Sequence, residues 1–188
     1  NMNSTLLQPD NFLKLISKHM PDMLWAKDLE GNYLYANESI CKNLLMATPD
    51  EVLGKCDVFF ATRERDKHPE NKNWRNFGEL FFNSDYVVLE NMKPMIFEEY
   101  GNIKGELVYL EVHKAPLHDS TGKLIGTIGS GRDITAQVLL EKQNEKLAYY
   151  DQLTGLPNRQ KIFVDISRKN PIACAIFNID DFKEINDF

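Results

Sequence analysis

Several absences narrow the chemistry of this 188-residue sequence. Its three cysteines, Cys41, Cys56 and Cys174, are odd in number and show no C-x-x-C spacing. That excludes a disulfide framework and a cysteine-built zinc site, and fits a reducing, cytoplasmic compartment. Basic residues are outnumbered, with Lys+Arg at 22 against Asp+Glu at 28 and a net charge of −6. No global positive field is available for nucleic acid or an anionic membrane. No apolar run approaches the roughly 18 residues of a membrane-spanning helix, so this segment is expected to make no membrane contact. There is no signal peptide in this stretch, no internal repeat and no low-complexity tract. Asn1 ahead of Met2 reads as an appended residue, and residues 1–9 are set aside as a tag or N-terminal extension.

What is present is a chain able to build a core, 43% hydrophobic. In "DNFLKLISKHM", Phe12, Leu13, Ile16 and Met20 recur at helical spacing, with Asp10 as N-cap and Pro21 as terminator. "DMLWAKDLEGNYLYAN" predicts a hairpin, strands 23–27 and 32–36 around the turn Asp28–Gly31. Asn37 can cap a helix over 38–46 with Ile40, Cys41, Leu44 and Leu45 inward, and a short helix follows from Pro49 to Gly54. Residues 55–82 are polar with scattered aromatics and read as loop with short helices. A helix near 84–92 ends before Pro94. Strands 95–100, 106–117 and 123–131 follow, with turns at "GNIKG" and "HDSTG". In "ELVYLEVHK", alternation sets Leu107, Tyr109, Glu111 and His113 on one face and Val108, Leu110 and Val112 on the other. The same alternation separates Glu98 from Glu99, against an acid–base pair. A helix over 133–150 carries Leu140 and Leu147 one heptad apart, enough for a connector that pairs in a dimer. Pro157 opens a further helix ending near Asn170-Pro171, and strand 172–179 closes the chain. Hairpin-linked strands with interspersed helices make an α+β class with an antiparallel sheet.

Residues 10–132 resemble a PAS sensor domain. "WAKDLEGNYLYANES", "EVLGK" and "APLHDSTGKLIGTIGSGRDIT" stand in the order and spacing of its first hairpin and capped helix, its glycine turn, and its last hairpin with the Asp-Ile-Thr exit. The resemblance implies a five-stranded antiparallel sheet with helices on one face and a small-molecule pocket between them. Trp25, Tyr35, Trp74, Phe97 and Tyr109 are the aromatics expected to line it. Residues 133–150 are the connector, or signalling, helix.

Residues 151–188 resemble the start of a GGDEF domain, the catalytic unit of diguanylate cyclases, through "DQLTGLPNR" and "NIDDFKEIND". The Gly-Gly-Asp-Glu-Phe signature is absent, so the chain is expected to be non-catalytic itself, with an incomplete α/β start. In an intact parent the resemblance implies Mg and GTP, and conversion of GTP to cyclic di-GMP. By family position, Asn178 and the Ile179 carbonyl fall at the metal, and Asp181, Phe182 and Asn186 at GTP. Asn178 departs from the family, which has a carboxylate there, and a neutral amide is a weaker ligand for a hard cation. Two parents therefore stay open: a diguanylate cyclase, or a cyclic di-GMP phosphodiesterase carrying an impaired GTP-binding GGDEF domain. A PAS domain used only for dimerisation is the third reading. The isolated start of an output domain cannot bury a core, and its strand would expose unpaired backbone. It is expected to dock on the PAS domain or to pair with a second copy, reinforcing a homodimer.

Haem and flavin are not expected. His19 and His118 sit at element ends, His68 precedes Pro69, and His113 shares a strand face with Tyr109. Cys56, in "EVLGKCDVFF", lacks the Asn, Arg and Gln partners of the flavin-reactive cysteine and reads as structural. The run Arg63, Arg65, Lys67, Lys72 and Arg75 is interrupted by Glu64, Asp66 and Glu70, and reads as a solvated loop.

Overall fold

A computed structural model describes residues 9–77, 83–169, 175 and 177. The chain divides into two compact units, 1–138 and 139–188. In the first unit, α1 spans Pro9–His19, β1 Met23–Asp28, β2 Tyr33–Ala36 and α2 Glu38–Ile40. A π-helical turn over Cys41–Leu45 continues α2, followed by α3 at Pro49–Val52, α4 at Asp57–Lys67 and α5 at Ser84–Asn91. The remaining strands are β3 Met95–Ile103, β4 Glu106–His118 and β5 Leu124–Asp133. The sheet order is β2-β1-β5-β4-β3, antiparallel between every pair of neighbours. The fold is thus α+β, as expected.

Local chemistry explains the joints. The Asp28 carboxylate accepts from the backbone N–H of Glu30 at 3.0 Å and of Asn32 at 2.7 Å, closing the first hairpin. Asn37, buried, caps α2 by accepting from Ile40 N–H at 3.2 Å and also receives Leu24 N–H at 3.0 Å. Its amide nitrogen donates to the carbonyls of Ser17 and Asp22, so one side chain fastens α1, β1 and α2 together. The core lies between the inner sheet face and the short helices, with Trp25, Tyr33, Ile40, Leu45, Phe60 and Leu110 buried.

In the first unit, four expectations need revision. Residues 57–67, within the stretch read as loop with short helices, form one eleven-residue helix. Its apolar residues, Val58 to Ala61, are bunched instead of spaced three or four apart, so no amphipathic stripe announces it. The helix expected over 38–46 changes at Ile40 into a π-turn, which ends at Met46 with φ 50°, a left-handed stop without glycine. β3 runs through Gly101 and Asn102 to Ile103, leaving Lys104-Gly105 as the turn. Gly101 serves close approach instead: a Cβ there would lie 2.8 Å from the Phe77 Cα. Finally, Arg75 is 1% exposed and donates to the Leu44 carbonyl, while Arg63 donates to the carbonyls of Leu45 at 3.0 Å and Met46 at 2.7 Å. Two members of the supposed solvated run therefore satisfy the carbonyls that end the π-turn.

The connector helix α6 spans Thr135–Tyr149 and α7 spans Arg159–Lys169. Pro157 precedes α7 instead of opening it, and Asn158 takes the cap, accepting from Lys161 N–H at 3.0 Å. The Asn158 amide also donates to the Ala148 carbonyl at 2.8 Å, so it ties the end of α6 to the start of α7. Between them Asp151 accepts from the Thr154 N–H at 2.9 Å and hydroxyl at 2.7 Å, and Gly155 turns with φ 71°. "DQLTGLPNR" is, physically, a compact helix–helix joint. The strand expected over 172–179 lies outside the described residues except at Ala175 and Phe177.

Candidate functional site

Three adjacent strands bring polar side chains to one place on the inner sheet face: Lys27 from β1, Thr127 from β5 and Lys114 from β4. Their residues are 3%, 1% and 5% exposed. Buried ammonium groups require counter-charges and filled hydrogen bonds. The first turns of α4 and α5 supply them. Asp85 accepts from Lys27 at 3.2 Å and the Thr127 hydroxyl at 3.0 Å and is ion-paired with Lys114 at 3.2 Å. Asp57, the first residue of α4, accepts from Lys27 and from the Tyr33 hydroxyl at 2.5 Å. Lys114 also donates to the Ser84 hydroxyl at 2.6 Å and pairs with Glu99 at 3.3 Å, while the Ser84 hydroxyl donates to Glu99 at 2.5 Å. Carboxylates in a helix's first turn are favoured by its N-terminal dipole.

The ionisations follow. Burial opposes the Lys27 ammonium, but Asp57, Tyr33 and Asp85 overcome that and hold its pKa well above the ordinary lysine value. Burial, then Asp57, pushes the Tyr33 phenol well up. Burial also works against the carboxylates of Asp57 and Asp85, yet the lysines hold both below the usual aspartate value. All four groups are thereby fixed in one charge state at neutral pH.

This network floors a cavity of about 590 Å³, walled by the β1–β2 turn, the start of α4, α5 and β3. Leu29, Val58, Phe77, Tyr86 and Leu89 give it apolar sides. A second cavity of about 40 Å³ shares Lys27, Asp57, Phe77, Glu99 and Lys114 with it and is bounded by Trp25. The Trp25 indole fits because β5 carries Gly129 and Gly131 opposite it. A Cβ at Gly129 would lie 2.5 Å from the ring. The buried Trp25 Nε1–H has no hydrogen-bond partner among the described residues.

The expected aromatic pocket is placed differently. Trp25 bounds only the smaller cavity, and none of Tyr35, Trp74, Phe97 and Tyr109 lines either one. Tyr35 is exposed. Trp74 stacks on His68 at 3.7 Å. Tyr109 lies near Tyr100 at 5.7 Å on the opposite sheet face from Leu110, and Phe97 is half-buried on β3. The larger cavity is lined by charge, which sequence reading missed. His113 pairs with Glu111 at 3.1 Å, His68 with Glu70 at 3.2 Å, and His19 and His118 are exposed. Cys56 precedes α4 as its N-cap and borders the larger cavity. Among the described residues no helix is long and apolar enough to cross a membrane. Asn178, Ile179, Asp181, Phe182 and Asn186 lie outside the described residues.

Comparison with known proteins places this geometry. A family profile described as the PAS fold matches residues 17–139. A diguanylate cyclase of Vibrio cholerae serotype O1 is 30% identical over 185 residues, covering 93% of this chain and 54% of that protein. The cyclic di-GMP phosphodiesterase PdeR of Escherichia coli is 26% identical over 167 residues, covering 85% of this chain and 23% of that one. The chain thus spans about half or less of the length of these relatives. Among solved structures, an RNA-binding light-oxygen-voltage receptor superposes with a TM-score of 0.54 at 20% identity, over 77% of this chain and 38% of that one, a likeness of fold.

Proposed function

Because the chain belongs to the PAS fold family, we propose that it is the sensory module of a cyclic di-GMP signalling protein, binding a small molecule in the charged cavity and relaying its presence through α6. One observation carries this reading. β5 supplies Thr127 to the network under the cavity, runs to Asp133, and α6 begins at Thr135. The helix start is fastened to the sheet, since Thr135 Oγ1 accepts from Tyr109 N–H at 2.9 Å and Ile134 N–H donates to the Tyr109 carbonyl at 2.9 Å. A ligand that rearranges the network has one continuous strand through which to move the helix.

The output is read from residues 151–188. Their resemblance to a GGDEF start, and the Vibrio relative matched over 93% of this chain, favour a diguanylate cyclase parent. By family position only, Asn178 and Ile179 would hold Mg, and Asp181, Phe182 and Asn186 would meet GTP. Asn178 and the similarity to PdeR favour the second reading, a phosphodiesterase with an impaired GTP-binding domain. Leu139, Leu140 and Leu147 are half exposed on α6 and suit pairing with a second copy, as joining two GTP molecules requires. No nucleic-acid partner is proposed, and the module is assigned to the cytoplasm.

The relay is tested by helix phase in the full-length protein. Deleting seven residues from α6 removes two turns and keeps the phase within about 20°. Deleting three turns the output by about 60°. Cyclic di-GMP turnover is expected to survive the first deletion and to change several-fold in the second. Equal turnover in both would contradict a relay through helix orientation.

A further inference from the structure

We propose that the cavity selects a small organic cation carrying an oxygen, an amino alcohol in chemical class. This rests on the ligand-sensing reading above and names the ligand's chemistry.

Charge and exposure decide the sign. Among the described residues lining the larger cavity, Lys27 and Lys114 are the cations, against Asp57, Asp85 and Glu99 in the network and Asp28, Glu30 and Glu98 at the rim. Both ammonium groups are occupied. Lys114 Nζ donates to the Ser84 hydroxyl at 2.6 Å and is ion-paired with Asp85 at 3.2 Å and Glu99 at 3.3 Å. Lys27 Nζ meets Asp57 and Asp85 and lies 4.9 Å from the centre of the Tyr33 ring. The lysine side chains are 4% and 5% exposed, whereas those of Asp57 and Glu99 are 29% and 26% exposed. A ligand entering the cavity therefore meets carboxylate oxygen first, with the lysines shielded behind it. Three network carboxylates against two ammoniums leave one negative charge, which an ammonium group neutralises where an anion would add to it.

The walls and the inner end supply the rest. Leu29, Leu89 and Tyr86 offer an apolar and aromatic surface to the body of the ligand and, through the ring, to its charge. Trp25 is 6% exposed, and its Nε1–H lacks an acceptor among the described residues. It borders a 40 Å³ space, room for a single oxygen substituent. An ammonium at the carboxylates and a hydroxyl toward Trp25 satisfy both ends. A free amino acid brings a second, negative group and is disfavoured by the same excess of carboxylate.

Calorimetric titration of this chain near neutral pH tests the assignment with leucinol, phenylalaninol, isoamylamine, leucine and 4-methylvalerate. The expected result is binding of at least one amino alcohol, about tenfold weaker binding of the amine without oxygen, and at least about hundredfold weaker binding of the amino acid and the acid. Glu99→Gln is expected to weaken the amino alcohol at least about tenfold, and Glu111→Gln, on the opposite sheet face, to leave it unchanged. Saturation by the acid at equal or lower concentration overturns the proposal, as does failure of both amino alcohols to saturate by about 10 mM. If Glu99→Gln does not fold, the five-compound comparison on the unaltered chain still decides. An acid that binds and alters turnover of the full-length protein overturns the ligand class alone. A filled cavity that leaves turnover unaltered overturns the sensor reading itself.

Discussion

Lys27→Met is expected to destabilise the sensory unit by about 3–5 kcal/mol, because it strands two carboxylates in a buried site. Methionine fills much of the same volume, so the loss reports charge rather than packing. Asp57 loses the cation that offsets its burial, Asp85 keeps Lys114 as its cation along with the Thr127 hydroxyl, and the Tyr33 hydroxyl is left hydrogen-bonded to an under-compensated carboxylate. Denaturant unfolding measures it, and Lys27→Met combined with Asp57→Asn should recover part of the loss. A loss below about 1 kcal/mol would mean that the network is solvated and worth no more than a surface pair. The pH dependence carries the same signature. The folded pKa values of Asp57 and Asp85 are lowered, so their contribution is complete above the unfolded aspartate range, near 3.8, and is lost as pH falls through the lowered values. Lys27 is raised, so its contribution is complete below 10.5 and is lost as pH rises through the higher folded value. The charge-dependent stability gap between the natural chain and Lys27→Met should be widest between these limits and shrink on both sides.

Gly126→Ala is expected to cost roughly 3 kcal/mol, through backbone rather than charge. Gly126 stands where β5 pairs with Asp28 of β1 and Leu117 of β4, with φ 156°. A Cβ there would lie 1.8 Å from the Lys27 carbonyl oxygen and 2.9 Å from the Asp28 Cα, so the strands must part. No side-chain rotation relieves a contact with main chain. Because the displaced carbonyl belongs to Lys27, the substitution should also narrow the pH-dependent part of stability. Gly122→Ala is the control. It occupies an exposed turn with φ 83° and nothing within 4 Å, and should cost about 1 kcal/mol or less. Equal melting temperatures for the two variants would contradict the strand contact.

The difference between what was legible and what was hidden has physical reasons. Hairpins were readable because Asp28, Gly31, Asp119 and Gly122 carry turn chemistry that is local in sequence. The capped start of α2 was readable because Asn37 does its work three residues away. The alternation in β4 puts Leu110 and Val112 inward, and its next inward position is Lys114. Lys27 likewise follows Met23 and Trp25 on the inner face of β1, and Glu99 follows Phe97 on β3. A charge continuing an apolar face is a signal for a buried ion network, and it was present in all three strands. Its partners could not be found that way. Asp57 and Asp85 sit on helices whose packing against the sheet no local pattern encodes, and α4 hides its register behind four consecutive apolar residues. Large aromatics suggested a pocket lining, but Trp74 and Tyr109 satisfy their surfaces against His68 and Tyr100 instead.

The most direct test of a cavity that governs output is cyclic di-GMP turnover by the full-length protein carrying Leu89→Trp, which places an indole in the 590 Å³ space above the ion network. The expected result is a folded protein whose turnover is fixed at one level, several-fold from that of the natural protein and insensitive to added ligand. Turnover indistinguishable from the natural protein, with the indole shown buried by its fluorescence, would contradict a sensory role for this cavity.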